Sequence, residues 1–270
     1  MALIVTNKPK DLSSFADDLQ AAGRYTFVSR EARAALGVSE IALANAARRL
    51  KERGRLASPR RGFYVIVPTE YRAAGAPPPS WFIDDLMRYL GQPYYVALLS
   101  AAALHGASHQ QSMVFQVMTD RPTRPAEAGR ARVEFHIAAG VVGAPVVDVQ
   151  TETGSMRVST PEMTVFDLVR HAQSWGGWSD VATVLAELAE RLDPEALHLA
   201  ATTSKTPDVQ RLGYLLDQAG FPRLADPLLR ALATRRYRPV RLASDAPRAG
   251  QEAAVAPWRI IPNVQVELGL

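Results

Sequence analysis

Tyr25–Val67, YTFVSREARAALGVSEIALANAARRLKERGRLASPRRGFYVIV, carries two short helical patterns, a tight turn between them and a basic hairpin pattern, the order used by a winged helix-turn-helix. Ser29 supplies an N-cap oxygen for the first helix and Gly37 a residue that tolerates the left-handed geometry of a helix end. Ser39 caps the second helix, in which Leu43, Ala47 and Leu50 recur at helical spacing and share a buried stripe closed by Gly54. Turning by 100° per residue brings Ile41, Asn45, Arg48 and Glu52 to the opposite face, with Ala42 and Arg49 on its flank. Asn pairs with adenine through two hydrogen bonds, Ile and Ala touch a thymine methyl, and Arg serves guanine or phosphate. Ser39, Ile41, Ala42, Asn45, Arg48 and Arg49 are therefore expected at DNA.

Beyond Gly54, Arg55–Ser58 and Phe63–Val67 read as strands joined by a turn over Pro59-Arg60-Arg61-Gly62. Arg60 and Arg61 are expected to project from its tip, hydrated and free to meet phosphates or a minor groove. The competing reading makes the module a protein-docking or structural element with two solvated arginines. Charge favours DNA: Met1–Val67 holds twelve Lys or Arg against six Asp or Glu, a net of +6, which leaves about −2 for the rest of a chain of +4.

Residues 1–68 are expected to form this domain, opened by a helix capped at Ser13 or Ser14 and running through Phe15, Leu19 and Ala22 to Gly23. Residues 69–79, rich in proline, read as an extended linker, and residues 80–270 as a second domain. At 270 residues and 47% hydrophobic content the chain has material for both cores. It has no cysteine, hence no disulfide and no thiolate chemistry, which fits a reducing cytoplasm. No apolar run approaches the roughly 20 residues that span a bilayer, and the N-terminus lacks a secretory leader pattern. The expected location is the cytoplasm, with no membrane partner.

In the second domain SWFIDDLMRYL (80–90) and PYYVALLSAAALHG (93–106) read as helices, and VFQVMT, ARVEFHIA and VVDVQTET as strands of an antiparallel sheet. From Thr160 the pattern is helical again, with Pro161 at a first helical position, through TPEMTVFDLVRHA, SDVATVLAELAERL, PEALHLAATT, TPDVQRLGYLLDQAG and PRLADPLLRALATR. The tail after Val240 is expected to return one or two strands to the sheet. The fold class is thus α+β: an N-terminal winged helix-turn-helix, then a larger mixed domain ending in a helical region.

Four segments, RRGFYVIV (60–67), YYVALLSAAALHGASHQQ (94–111), STPEMTVFDLV (159–169) and QRLGYLLD (210–217), resemble, in this order, motifs of the AbiEi-type antitoxins. The resemblance implies a winged-helix domain that represses the promoter of its own toxin–antitoxin pair, and a C-terminal domain needed to neutralise a nucleotidyltransferase-like toxin, by direct contact or only functionally.

Candidate chemistry is sparse. His105 and His109 are four apart, a spacing suited to a metal, but Gly106 and the residues after it end the helix between them, so His105 reads as packing at a helix end and no metal is expected. Thr160 or Ser159 reads as an N-cap, with Glu162 in the favourable first turn. Asp167 lies five positions beyond Glu162, about 140° away, which argues against a paired acid and base. Arg211 and Tyr214, with Arg170 or Asp217, read as a partner-binding surface or, with more weight, as a solvated face or internal ion pair. Neither a P-loop nor a dinucleotide fingerprint is present. No catalytic residue and no cofactor is expected. The expected function is that of a sequence-specific, operator-binding antitoxin and autorepressor; the alternatives are a general transcriptional regulator or a protein-interaction module.

Overall fold

A computed structural model describes residues 9–107, 114–174, 177–246 and 253–267. They fall into two compact units. The first takes described residues within 1–95, 113–142 and 148–157, the second those within 96–112, 143–147 and 158–270. These units do not follow the boundaries expected at 68 and 80, because strands far along the chain pack with the N-terminal module.

That module runs α1 (Leu12–Ala21), β1 (Thr26–Val28), α2 (Ser29–Leu36), α3 (Glu40–Glu52), β2 (Leu56–Arg60) and β3 (Phe63–Ile66), with a sheet ordered β1-β3-β2 and antiparallel throughout. The helices and hairpin expected from the sequence are there. The N-cap of α1 is Asp11 rather than Ser13 or Ser14: its carboxylate accepts from Ser14 N–H at 2.8 Å, and Ser14 Oγ accepts from Asp11 N–H at 3.1 Å, a reciprocal box. One core holds the module together, built from Leu12, Phe15 and Leu19 of α1, Phe27 of β1, Leu43, Ala47 and Leu50 of α3, and Leu56, Tyr64 and Ile66 of the hairpin. Phe27 stands edge-on to Phe15 and stacks on Tyr64.

The expected linker is tied down. It contains two short 3-10 turns, Thr69–Tyr71 and Pro79–Trp81, and buries Ala76 and Pro77. Trp81 meets the edges of Tyr25 and Tyr71, and Thr153 donates to its carbonyl at 2.7 Å. Gly75 lies backbone to backbone on Gly129, where a Cβ on either residue would come within 2.8 Å of the other, and Arg130 N–H reaches Ala74 O at 2.8 Å. The prolines signal missing ladder donors, which a free linker and a packed irregular segment share.

After α4 (Ile83–Leu90) the stretch expected as one helix divides into β4 (Tyr94–Val96) and α5 (Leu98–Leu104). A fully apolar run has no periodicity to tell strand from helix, and burial decides. The strands β5 (Phe115–Thr119), β6 (Ala126–Ala128), β7 (Ala131–Ile137), β8 (Val146–Thr151) and β9 (Gly154–Ser159) complete a sheet ordered β6-β7-β5-β4-β9-β8. This sheet is mixed, not antiparallel: β5 runs parallel to β7 from Phe115↔Val133 to Thr119↔Ile137, and β4 parallel to β9. The reason is β6, unrecognised within a turn-rich segment, which takes the antiparallel place beside β7.

Helices follow: α6 (Pro161–Arg170), α7 (Trp178–Leu188), α8 (Pro194–Thr203), α9 (Thr206–Gln218) and α10 (Pro222–Ala233). The tail strands β10 (Val240–Arg241) and β11 (Ile260–Ile261) pair with each other in parallel, rather than joining the larger sheet as expected. Among the described residues no helix is long and apolar enough to cross a membrane.

Candidate nucleic-acid interface

The turn between α2 and α3 is built from two local signals. Gly37 ends α2 in left-handed geometry at φ 70°, and Ser39 Oγ accepts from Ala42 N–H at 3.2 Å to start α3. Ser29 is not the cap expected of it. Val28 holds the N-cap position, while Ser29 is the first helical residue and its N–H reaches Gly62 O at 2.8 Å, tying α2 to the hairpin turn.

On α3 the buried stripe of Leu43, Ala47 and Leu50 turns Ile41, Ala42, Asn45, Arg48 and Arg49 to solvent. Ile41 is 76% exposed, a large apolar side chain with nothing covering it at the N-terminal half of the helix. Arg48 bonds Glu52 at 2.8 Å one turn on, an exposed pair of small worth that a phosphate would displace readily. Glu40, at the start of α3, stands 3.9 Å from Arg33 and 3.8 Å from Arg61, between helix and hairpin. Arg30 and Arg33, exposed on α2, were not singled out from the sequence; their signal was two arginines three apart on the helix that precedes α3.

The hairpin treats its two arginines differently. The turn is tighter than expected: Pro59 and Arg60 belong to β2, and Arg61-Gly62 make the corner, Gly62 at φ 81°. Arg61 is 97% exposed. Arg60 does not project freely. Its guanidinium donates to Pro125 O at 2.9 Å, to Pro59 O at 3.0 Å and to Arg124 O, and lies 5.8 Å from the centre of the Phe135 ring. Burial, and then the neighbouring Arg124 charge, push its pKa below the ordinary arginine value.

In the second unit the candidate polar groups hold the structure to itself. His105 Nε2 lies 2.7 Å from Ser159 O, and His109 lies outside the described residues. Thr160 caps α6 through Met163 N–H at 3.3 Å, and the buried Glu162 carboxylate accepts from Asp193 N–H at 3.0 Å. Arg170 bridges Asp167 at 3.2 Å and Asp208 at 3.1 Å, both carboxylates buried, with Arg211 3.7 Å from Asp208. Burial lowers the Arg211 pKa, and Asp208 opposes that shift. The same face of α9 grips the tail. Arg211 donates to Arg241 O and Leu242 O, Gln210 to Arg238 O and Trp258 O, and Asp217 accepts from the Trp258 indole at 3.3 Å. Gly213 leaves room for the Trp258 ring, which a Cβ would meet at 2.0 Å.

Residues 14–67 match the family described as a transcriptional regulator, AbiEi antitoxin, and residues 95–218 match the AbiEi antitoxin C-terminal domain. The chain belongs to the AbiEi antitoxin family. Its fold is similar to that of the RV2827C protein from Mycobacterium tuberculosis, known from a crystal structure, with a TM-score of 0.64 over 96% of this chain and 95% of that one at 19% identity. No curated protein matches the chain. The first family match runs from within α1 to just past β3, and the second ends at the last residue of α9, so the tail that α9 grips lies beyond it.

Proposed function

We propose that this AbiEi family member is an operator-binding antitoxin that represses its own toxin–antitoxin promoter and counteracts a nucleotidyltransferase-like toxin, acting in the cytoplasm without catalysis of its own. The reading treats α1 to β3 as a winged helix-turn-helix. One observation carries it: the exposed face of α3, with Ile41, Ala42, Asn45, Arg48 and Arg49, lies in a stretch, Met1–Val67, of net charge +6 with Arg61 exposed at the hairpin corner. Asn45, Ile41 and Ala42 suit base edges in a major groove, while Arg48, Arg49 and Arg61 suit phosphate or guanine. Ser39 serves the interface through the α3 start it caps, and the Arg30 and Arg33 side chains of α2 add phosphate contacts.

The test is a gel-shift titration of the full chain on a duplex from its own upstream region, against a shuffled duplex at fixed salt. The proposal expects the native sequence to bind at least about a thousandfold more tightly, the lower end of specific recognition. Equal affinity for both duplexes refutes it. A general regulator would instead bind operators away from its own gene.

A further inference from the structure

The two arginines of the hairpin tip read alike in the sequence, yet Arg61 is 97% exposed while Arg60 is half-buried. We propose that Arg60 is a positioning residue: it fastens the hairpin to the β6–β7 segment and so sets where Arg61 meets the DNA backbone. This rests on the DNA-binding reading above and deepens it.

Three features of the first unit point the same way. The Arg60 guanidinium spends donors on the carbonyls of Pro59, Arg124 and Pro125 and leans toward Phe135, so a phosphate would have to displace bonds already made. The corner is also held from its other side, where Tyr89 Oη donates to Arg61 O at 2.8 Å and its ring packs on Phe63. Gly62 completes the seat, since a Cβ there would stand 2.8 Å from that hydroxyl. The backbone of Arg61 is thereby clamped while its side chain stays in solvent. The carbonyls that receive Arg60 belong to the two residues just before β6, and Phe135 stands on β7, the strand paired with β6.

The experiment measures affinity of the full chain for the native and shuffled duplexes across about 50 to 200 mM salt, with each variant checked for a cooperative thermal transition. Arg61→Ala should flatten the plot of log K against log salt by about 0.9, the loss of one phosphate contact. Arg60→Gln should weaken binding and flatten the slope by no more than Arg61→Ala does, and should add less than about a twofold loss and no further flattening when Arg61 is already Ala, because its effect passes through Arg61. Arg60→Lys keeps the charge but cannot span the same carbonyls, and should behave like the Gln variant. Further flattening of the slope in the double variant, multiplying losses there, or wild-type affinity in the Lys variant each overturns the anchor role alone. Absence of duplex binding by the unaltered protein overturns the DNA-binding reading and the anchor with it.

Discussion

In the proposed DNA-binding role, base reading would turn on Asn45. Its side chain is exposed at the middle of the α3 face, between Ile41 and Arg48. Asn45→Ala should cost about 1–3 kcal/mol on the preferred operator and little on shuffled DNA, as measured by titration of both duplexes. An equal loss on the two would make it a backbone contact. Asp11 governs a different property. Ser14 N–H holds its carboxyl below the ordinary range, so its contribution is present above the unfolded value of about 3.9 and is lost as pH falls through the lower folded value. Asp11→Ala should lower stability at neutral pH by about 0.5–2 kcal/mol in denaturant titration, with the difference from wild type vanishing in strong acid. Gly213 sits where only hydrogen fits. Gly213→Ala should destabilise the second unit by about 1–3 kcal/mol and shift tryptophan emission to the red as Trp258 is pushed from its seat.

At the scale of elements, α3 is the part most legible in the sequence. Its stripe, its Ser39 cap and its glycine stops are local signals, and local hydrogen bonds realise them. The hairpin was legible in outline, but its corner was not. Whether Arg60 points to solvent or to the carbonyls of Arg124 and Pro125 depends on residues more than sixty positions away. β9 was overlooked although Met156 and Val158 alternate as a strand requires, because the pattern is short and opens on Gly154 and Ser155. In α9 the segment QRLGYLLD reads as an amphipathic helix, yet Gln210, Arg211, Gly213 and Asp217 together clasp the tail. Arg211→Ala should free that segment, seen as faster amide exchange over residues 238–246, whereas Tyr214→Phe should not.

For the whole molecule, the expected split at 68 and 80 and the two compact units lead to different fragments. Residues 1–75 contain the complete α1-to-β3 core, so they should unfold cooperatively. They lack the Arg124 and Pro125 carbonyls that hold Arg60 and the Trp81 ring against Tyr25, so their melting point and their operator affinity should both fall below those of the full chain. The same fragment should fail to rescue cells expressing the cognate toxin; rescue by it would place neutralisation in the N-terminal module. A fragment of residues 80–270 should show no operator preference in the same titration, since it lacks α3 and the hairpin.

The sequence by itself determined the α+β class, the order of helices and hairpin from Leu12 to Ile66 and the exposed face of α3, because caps, glycine stops and 3.6-residue periodicity act over a few neighbours. Only the tertiary structure decided the parallel pairing of β5 with β7, the packing of residues 69–79, the grip of α9 on the tail and the different surroundings of Arg60 and Arg61. Each of those rests on contacts between groups far apart in the chain, for which a single sequence carries no periodic signal.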